Sequence, residues 1–212
     1  MNPLMREILL ATGNPDKARE MEEILSFASA RGGLAIRWRR LAEFPDVREP
    51  VEDGATFHAN AELKARSYAL QTGLWTIADD SGLEVDALDG EPGVRSARYA
   101  GDQSDYQANN RLLLDRLRGT PADQRSARFR CAVVLTDGHT LLARAEGTVE
   151  GHIADTPRGN RGFGYDPLFF VPEFGLTMAE LAPEQKHAIS HRGQGLRRLR
   201  DQLEALLSEN SP

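Results

Sequence analysis

The sequence LWTIADDSGL, at residues 74–83, decides the fold of this chain. The apolar run before Asp79 is typical of a buried strand. Neighbouring side chains of a strand point to opposite faces, so Asp79 and Asp80 serve one site only if the chain bends. Because Gly82 permits a bend, we expect the strand to end at these acids. In the alternative, one aspartate caps the next turn and the other lies in solvent.

A helix is predicted immediately before this strand. Thr56 is a typical N-cap residue, and Gly73 is typical of the position just beyond a helix end. The apolar residues between them recur at helical spacing: Phe57, Ala61, Ala65 and Tyr68. The sequence therefore predicts an amphipathic helix that leads directly into the central strand.

The N-terminal part also alternates strand and helix. Residues 7–11 read as a buried strand, Asn14 as an N-cap and Pro15 as the first helical residue. Residues 34–38 predict a second strand. The apolar positions of the helix between these strands are Met21, Ile24, Leu25 and Ala28.

The second half of the chain predicts both helices and strands. Residues 106–117 form an amphipathic helix, and residues 128–136 and 139–148 form antiparallel strands around Asp137 and Gly138. A last helix is expected past Gly195, with its apolar face formed by Leu196, Leu199, Leu203, Leu206 and Leu207. This mixed order predicts an α/β fold with a mixed sheet.

Length and composition limit the class of protein. With 212 residues, of which 40% are hydrophobic and 27% charged, we expect a single domain over residues 1–212. No apolar run approaches the roughly 20 residues of a membrane span, so we expect a cytoplasmic protein without a membrane partner. A net charge of −6 argues against nucleic-acid binding. Cys131 lies in an apolar run and is expected to pack as a small hydrophobe.

Residues 12–17, TGNPDK, form the first candidate site. A helix start presents unpaired N–H groups and a positive dipole end, which suit a phosphate, and Lys17 adds a charge. The glycine spacing is not that of a Walker A loop. The alternative is an ordinary helix cap followed by a solvated lysine.

A second candidate involves the helix that precedes the central strand. Asn60 and Lys64 lie four residues apart and share a face. A functional arrangement would bring Glu52 and Lys64 toward Asp80. Mg²⁺ binds carboxylate and phosphate oxygens, so two or three acids suffice. In the alternative these polar residues are simply exposed.

Two further segments lie in the C-terminal half. In residues 159–167, GNRGFGYDP, glycines around Phe163 leave an aromatic ring on a backbone that a flat molecule can approach. Residues 186–192, KHAISHR, concentrate hydrogen-bond donors without zinc-ligand spacing. The alternatives are a structural turn and a helix start with exposed basic groups.

Six short segments occur in an order that is specific when they are taken together: residues 10–14 with Lys17, and residues 56–65, 78–83, 92–99, 162–167 and 190–192. With these, the chain resembles the noncanonical purine nucleoside triphosphate pyrophosphatases, the inosine triphosphatase or Ham1 family. The resemblance implies an elongated α/β fold of two lobes around a central cleft, and a homodimer. It also implies Mg²⁺-dependent hydrolysis of ITP, dITP and XTP to the monophosphate and pyrophosphate.

The resemblance further implies roles for individual residues. Asp80 is the general base and a metal ligand, and Ser81 contacts substrate. The triphosphate is held by Thr12, Gly13, Asn14 and Lys17. The base and sugar are held by Phe163, Gly164, Tyr165, Asp166, Lys186, His191 and Arg192. The cations of this group suit the 6-oxo acceptor of hypoxanthine and xanthine, whereas adenine presents an amino donor there.

One position departs from the family pattern. Members often have an acid in the sequence Phe-x-Glu-Asn-Ala, but this chain has Ala59 there. We therefore expect Asp80 and Glu52 to hold the metal, with Asp79 as the next candidate. The open alternatives are a phosphohydrolase that releases orthophosphate, a nucleotide-binding module without catalysis, and a pure interaction protein.

Overall fold

The computed structural model describes residues 5–25, 35–101 and 105–209. The strands of this part are β1 (Met5–Leu10), β2 (Ala35–Arg40), β3 (Trp75–Val85), β4 (Ser126–Thr136), β5 (Leu141–Ile153), β6 (Phe169–Val171) and β7 (Leu176–Thr177). The α-helices are α1 (Pro15–Leu25), α2 (Phe57–Thr72), α3 (Tyr106–Arg116), α4 (Pro183–Ile189) and α5 (His191–Glu209).

The strands form one sheet in the order β2-β1-β3-β4-β5-β6-β7. Strand β1 pairs in parallel with β2 and with β3. Strand β6 pairs antiparallel with β5 and with β7. The expected α/β fold with a mixed sheet and flanking helices is therefore confirmed.

The chain divides into two compact units. The first unit contains Met1–Asp80, Cys131–Gly147 and Arg192–Pro212, and the second contains Ser81–Arg130 and Thr148–His191. Each unit has its own apolar core. The first core includes Ile8, Met21, Ile77, Cys131, Val133, Leu196, Leu199 and Leu203, and the second includes Leu83, Leu113, Phe129, Tyr165, Leu168 and Phe169. Cys131 packs as the small hydrophobe that the sequence predicts.

Local capping signals place the first two helices as predicted. The Asn14 Oδ1 atom accepts from the Asp16 N–H over 2.9 Å at the start of α1. Helix α2 begins after Thr56, whose Oγ1 accepts from the Ala59 N–H, and it ends at Gly73 with a φ of 71°. Each N-cap contributes about 0.5–2 kcal/mol, which is enough to fix where the helix starts. Ala28 and Leu34, predicted in the first helix and the second strand, lie outside the described residues.

Strand β3 does not end at the two aspartates, and this corrects the prediction from turn-forming residues. The strand continues through Asp79, Asp80 and Gly82 to Val85. Leu83 and Val85 resume the buried pattern beyond the polar residues. The chain stays extended because the carboxylates find polar partners inside the fold, so no turn is needed to expose them.

The loop between β4 and β5 is longer than predicted. It comprises four residues, 137–140, because Asp137 Oδ1 accepts from the N–H groups of His139 and Thr140. The Oγ1 of Thr136 also accepts from the Gly138 N–H. The His139 N–H, which would pair with Thr136 across a two-residue turn, thus bonds within the loop.

The last helix begins earlier than predicted. Helix α5 starts at His191, so Gly195 lies inside it. A Cβ at Gly195 would lie 3.1 Å from Val133 Cγ2, so the glycine permits close packing of the helix on β4. Within the described ranges, no helix is long and apolar enough to span a bilayer.

Candidate functional site

A buried carboxylate lies at the centre of a polar cluster in the first unit. Asp79 is 1% exposed, and its Oδ2 lies 3.2 Å from both Lys17 Nζ and Arg192 Nε. Burial alone would raise the pKa of Asp79, but the charges of Lys17 and Arg192 outweigh it and lower the pKa. Asp79 therefore stays ionised and binds two cations.

Arg192 belongs to this cluster rather than to a surface. Its Nη1 lies 2.5 Å from Glu20 Oε2, while its Nε contacts Asp79. Both carboxylates and the guanidinium are buried. Positive charge at the start of α5 opposes the helix dipole, and these two acids offset that cost. The expected contact between Arg192 and a purine base stays a prediction.

Asp80 has a different environment from its neighbour. Asn60 Nδ2 donates to Asp80 Oδ2 over 3.0 Å, and Asn60 Oδ1 accepts from the Gly54 N–H over 2.7 Å. A Cβ at Gly54 would lie 2.6 Å from that Oδ1, so only glycine leaves Asn60 in this position. Burial raises the pKa of Asp80, and the charges of Lys17 and Lys64 oppose the rise. The carboxylate is thus oriented and more basic than in water.

Lys64 contacts Glu52, one of the two acids that we expect to hold a metal, and the backbone next to the other, Asp80. Its Nζ lies 3.0 Å from Glu52 Oε2 and donates to the Asp79 carbonyl over 3.1 Å. Burial lowers the pKa of Lys64, but the charges of Asp79, Glu52 and Asp80 outweigh burial and raise it. The structure therefore brings Glu52 and Lys64 toward Asp80, as a functional arrangement requires.

Asp80 and Glu52 fit a metal site in which substrate and water supply most of the ligands better than a site filled by protein ligands. Across residues 5–25, 35–101 and 105–209, no group of three His, Cys, Asp or Glu side chains is placed to hold a metal. Asp80 and Glu52 are nevertheless close enough for the Glu52 charge to raise the pKa of Asp80. Mg²⁺ in proteins often has one or two carboxylate ligands and takes the rest from phosphates and water. The donor set fits such an ion.

The start of α1 combines a helix cap with a charged side chain. Asn14 Oδ1 accepts from the N–H of both Asp16 and Lys17, and the Asn14 N–H donates to Thr12 Oγ1. The Asn14 side chain thus accepts hydrogen bonds from two of the backbone N–H groups that we expected to bind a phosphate. The Lys17 side chain points toward Asp79 instead of solvent. A Cβ added at Gly13 would meet no atom within 4 Å.

A second polar cluster lies in the other unit. Asp166 Oδ2 accepts from Lys186 Nζ and from the Phe163 N–H, each over 2.9 Å. Lys186 Nζ lies 5.1 Å from the centroid of the Phe163 ring. A Cβ at Gly162 would lie 2.1 Å from Asp166 Oδ2, and its φ is 73°, so glycine is required there. Asp166 thus holds the backbone N–H of Phe163 and the Lys186 ammonium group.

Three further residues that were predicted for the site belong to the second unit: Tyr165, His191 and Ser81. Tyr165 is buried, and its hydroxyl donates to the Ser96 carbonyl over 2.8 Å. His191 stacks on Phe129 with ring centroids 4.9 Å apart. Ser81 is half-buried on β3, directly after Asp80. Tyr165 and His191 therefore support the second unit from within.

Sequence reasoning missed two residues that shape the first cluster. Glu20 pairs with Arg192, and Gly54 holds Asn60. A signal for Glu20 exists, because it lies four residues before Ile24 and so interrupts the apolar face of α1 with an acid. Gly54 carries no comparable signal, since its role depends on a contact with a side chain of the next helix.

Comparisons with known proteins agree with these observations. A family model described as the Ham1 family matches residues 8–202. The chain is 46% identical to the dITP/XTP pyrophosphatase of Geobacillus kaustophilus, covering 96% of this chain and 97% of that protein. It is 49% identical to the dITP/XTP pyrophosphatase of Geobacter sulfurreducens, covering 94% and 97%. The solved structure of a HAM1 protein from Coxiella burnetii is 43% identical, with a TM-score of 0.82 over 97% of this chain and all of that one.

Proposed function

The chain belongs to the Ham1 family, and from this premise we propose that it hydrolyses ITP, dITP and XTP to the monophosphate and pyrophosphate. The observation that best supports the proposal is the environment of the Asp80 carboxylate. This carboxylate is buried, held by Asn60 and flanked by the charges of Lys17 and Lys64. A basic carboxylate beside two cations suits proton transfer next to an anionic substrate.

Asp80 is the general base of the proposed reaction. It takes a proton from the attacking water, whose oxygen forms a bond to the α-phosphorus. The bond from that phosphorus to the bridging oxygen breaks, and pyrophosphate leaves with the bonding electrons. Because burial raises the pKa of Asp80, the carboxylate accepts the proton more readily than an exposed one.

The lysines of the first unit balance the charge of the triphosphate. Phosphoryl transfer depends mainly on positioning and on electrostatic stabilisation. Lys17, at the start of α1 beside Thr12, Gly13 and Asn14, neutralises charge that develops on the leaving pyrophosphate. Mg²⁺, when bound by Asp80 and Glu52, supplies further positive charge at the phosphate oxygens.

The second unit is assigned to the base and sugar. Phe163 offers a ring for stacking, and Asp166 and Lys186 lie beside it. A lysine donor matches the 6-oxo group of hypoxanthine and xanthine, whereas the amino group of adenine would face it as a second donor. Two buried donors left without acceptors cost about 1–3 kcal/mol each. The proposed substrate-binding set is completed by Ser81, Gly164, Tyr165, His191 and Arg192.

Three further features belong to the proposal through the family resemblance. Mg²⁺ is the metal, the enzyme is a homodimer, and it acts in the cytoplasm on the nucleotide pool. Ala59 is exposed on the first turn of α2, where family members often have an acid. The neighbouring Asn60 keeps its contact with Asp80, so the loss of that acid leaves the proposed base in place.

The test is a product assay with the purified protein, Mg²⁺ and dITP. We expect equal amounts of dIMP and pyrophosphate, with much slower turnover of dATP. Orthophosphate as the first product would support the rival phosphohydrolase. Tight dITP binding without any turnover would support the binding module.

A further inference from the structure

Helix α3 contacts the glycine-rich turn at residues 162–166 at two points. Asn110 Nδ2 donates to the Gly164 carbonyl over 3.0 Å. One helical turn earlier, the ring of Tyr106 lies beside that of Phe163, with centroids 6.1 Å apart. Because residues four apart share a helix face, one face of α3 contacts both the backbone and the ring of this turn.

Helix α3 is itself firmly anchored in the second unit. The buried Asn109 accepts from the Ala100 N–H over 2.7 Å and donates to the Ala97 carbonyl over 3.1 Å. The helix starts at a capping carboxylate, since Asp105 Oδ1 accepts from the Gln107 N–H over 2.9 Å. The helix can therefore hold the position of another segment.

The turn requires such support. Gly162 and Gly164 have φ angles of 73° and 62°, in the left-handed region that favours glycine. Glycine loses more conformational freedom on ordering than other residues, and contacts from neighbouring elements help to offset that loss. Gly164 directly follows Phe163, and a hydrogen bond on its carbonyl restricts the backbone that carries the ring.

We propose that Asn110 is a positioning residue that holds the Gly164 carbonyl and so fixes Phe163 as the platform for the purine base. The inference rests on the proposed function, in which Phe163 contacts the base. A carbonyl oxygen only accepts, so the Asn110 nitrogen faces it, and an aspartate of the same shape cannot replace that donor. Asn110 acts on nucleotide affinity, whereas proton transfer belongs to Asp80.

The experiment compares N110A and N110D with Q107A, an exposed control on the same helix. Hydrogen–deuterium exchange by mass spectrometry follows a peptide covering residues 160–168. We expect faster exchange at residues 162–166 in both Asn110 variants, and wild-type exchange in the control. Steady-state kinetics with dITP should show a KM raised about three- to tenfold, the effect of one lost hydrogen bond, with kcat within about twofold.

Inorganic triphosphate, which has no base, separates this role from a general structural defect. Its inhibition constant against dITP hydrolysis should be unchanged in N110A. Wild-type exchange in the turn would overturn the proposal, as would a fall in kcat with an unchanged KM or weaker inhibition by triphosphate. If the wild type does not hydrolyse dITP, the proposed function fails, and with it the role of Asn110 in base binding. The exchange data would then still decide whether Asn110 orders the turn.

Discussion

Nδ2 of Asn60 lies 3.0 Å from Oδ2 of Asp80, and this hydrogen bond orients a carboxylate that is almost fully buried. The other end of the amide is fixed by the Gly54 N–H. Asn60 can therefore present its nitrogen, and only its nitrogen, to the proposed base. The orientation of Asp80 depends on a backbone segment that lies outside any helix or strand.

Replacing Asn60 by alanine should lower kcat for dITP and leave the fold intact. The change leaves the Asp80 carboxylate without the contact that orients it, and misplacing a catalytic group costs up to about 100-fold, so we expect a roughly ten- to hundredfold loss. Stopped-time pyrophosphate release measures it, with E62Q on the same helix as the control. A kcat within twofold of wild type would show that the Asn60 contact is dispensable.

Replacing Asp80 by asparagine should abolish most turnover while nucleotide binding persists. General-base catalysis contributes about 100- to 10,000-fold, and the amide cannot take the proton. Calorimetric titration with ITP checks that binding survives, and D123N at an exposed position is the matched control. Undiminished turnover in D80N would remove this residue from the mechanism.

Replacing Arg192 by methionine should destabilise the protein. The change leaves Asp79 and Glu20 buried, with one cation fewer between them, and breaking a buried pair costs about 3–5 kcal/mol. Urea unfolding followed by circular dichroism measures the free energy of unfolding. R192K keeps the charge and should lose less. A loss below about 1 kcal/mol in the methionine variant would contradict the structural role of this arginine.

The thiol of Cys131 should be unreactive in the native protein. It is 2% exposed, and burial raises its pKa far above its usual range, so almost no thiolate forms at neutral pH. Ellman's reagent should detect no thiol in native protein and one thiol per chain in guanidinium. Rapid labelling of the native protein would show that the first core opens at this residue.

Several features of the site could be predicted because they depend on residues close together in sequence. The bounds of α2 follow from Thr56 and Gly73, which act within one turn of the helix ends. The approach of Lys64 to the Asp80 region follows from the direct passage of α2 into β3. The mixed α/β fold and the family are likewise confirmed, while the single domain over residues 1–212 stays a prediction.

Other features depend on contacts between distant residues and could not be predicted. Residues 79–82 are of types that favour turns. They nevertheless remain extended, because Lys17, Asn60 and Arg192 pair with the two aspartate carboxylates. Arg192 pairs with Glu20, 172 residues away in sequence, and its expected contact with a purine stays a prediction. Local composition cannot indicate partners at that separation.

The most direct test of the account is dITP hydrolysis in ¹⁸O-labelled water, with mass spectrometry of both products. Attack at the α-phosphorus, with Asp80 taking the proton, predicts one ¹⁸O atom in dIMP and none in pyrophosphate. Label in pyrophosphate, or in orthophosphate released first, would contradict the account.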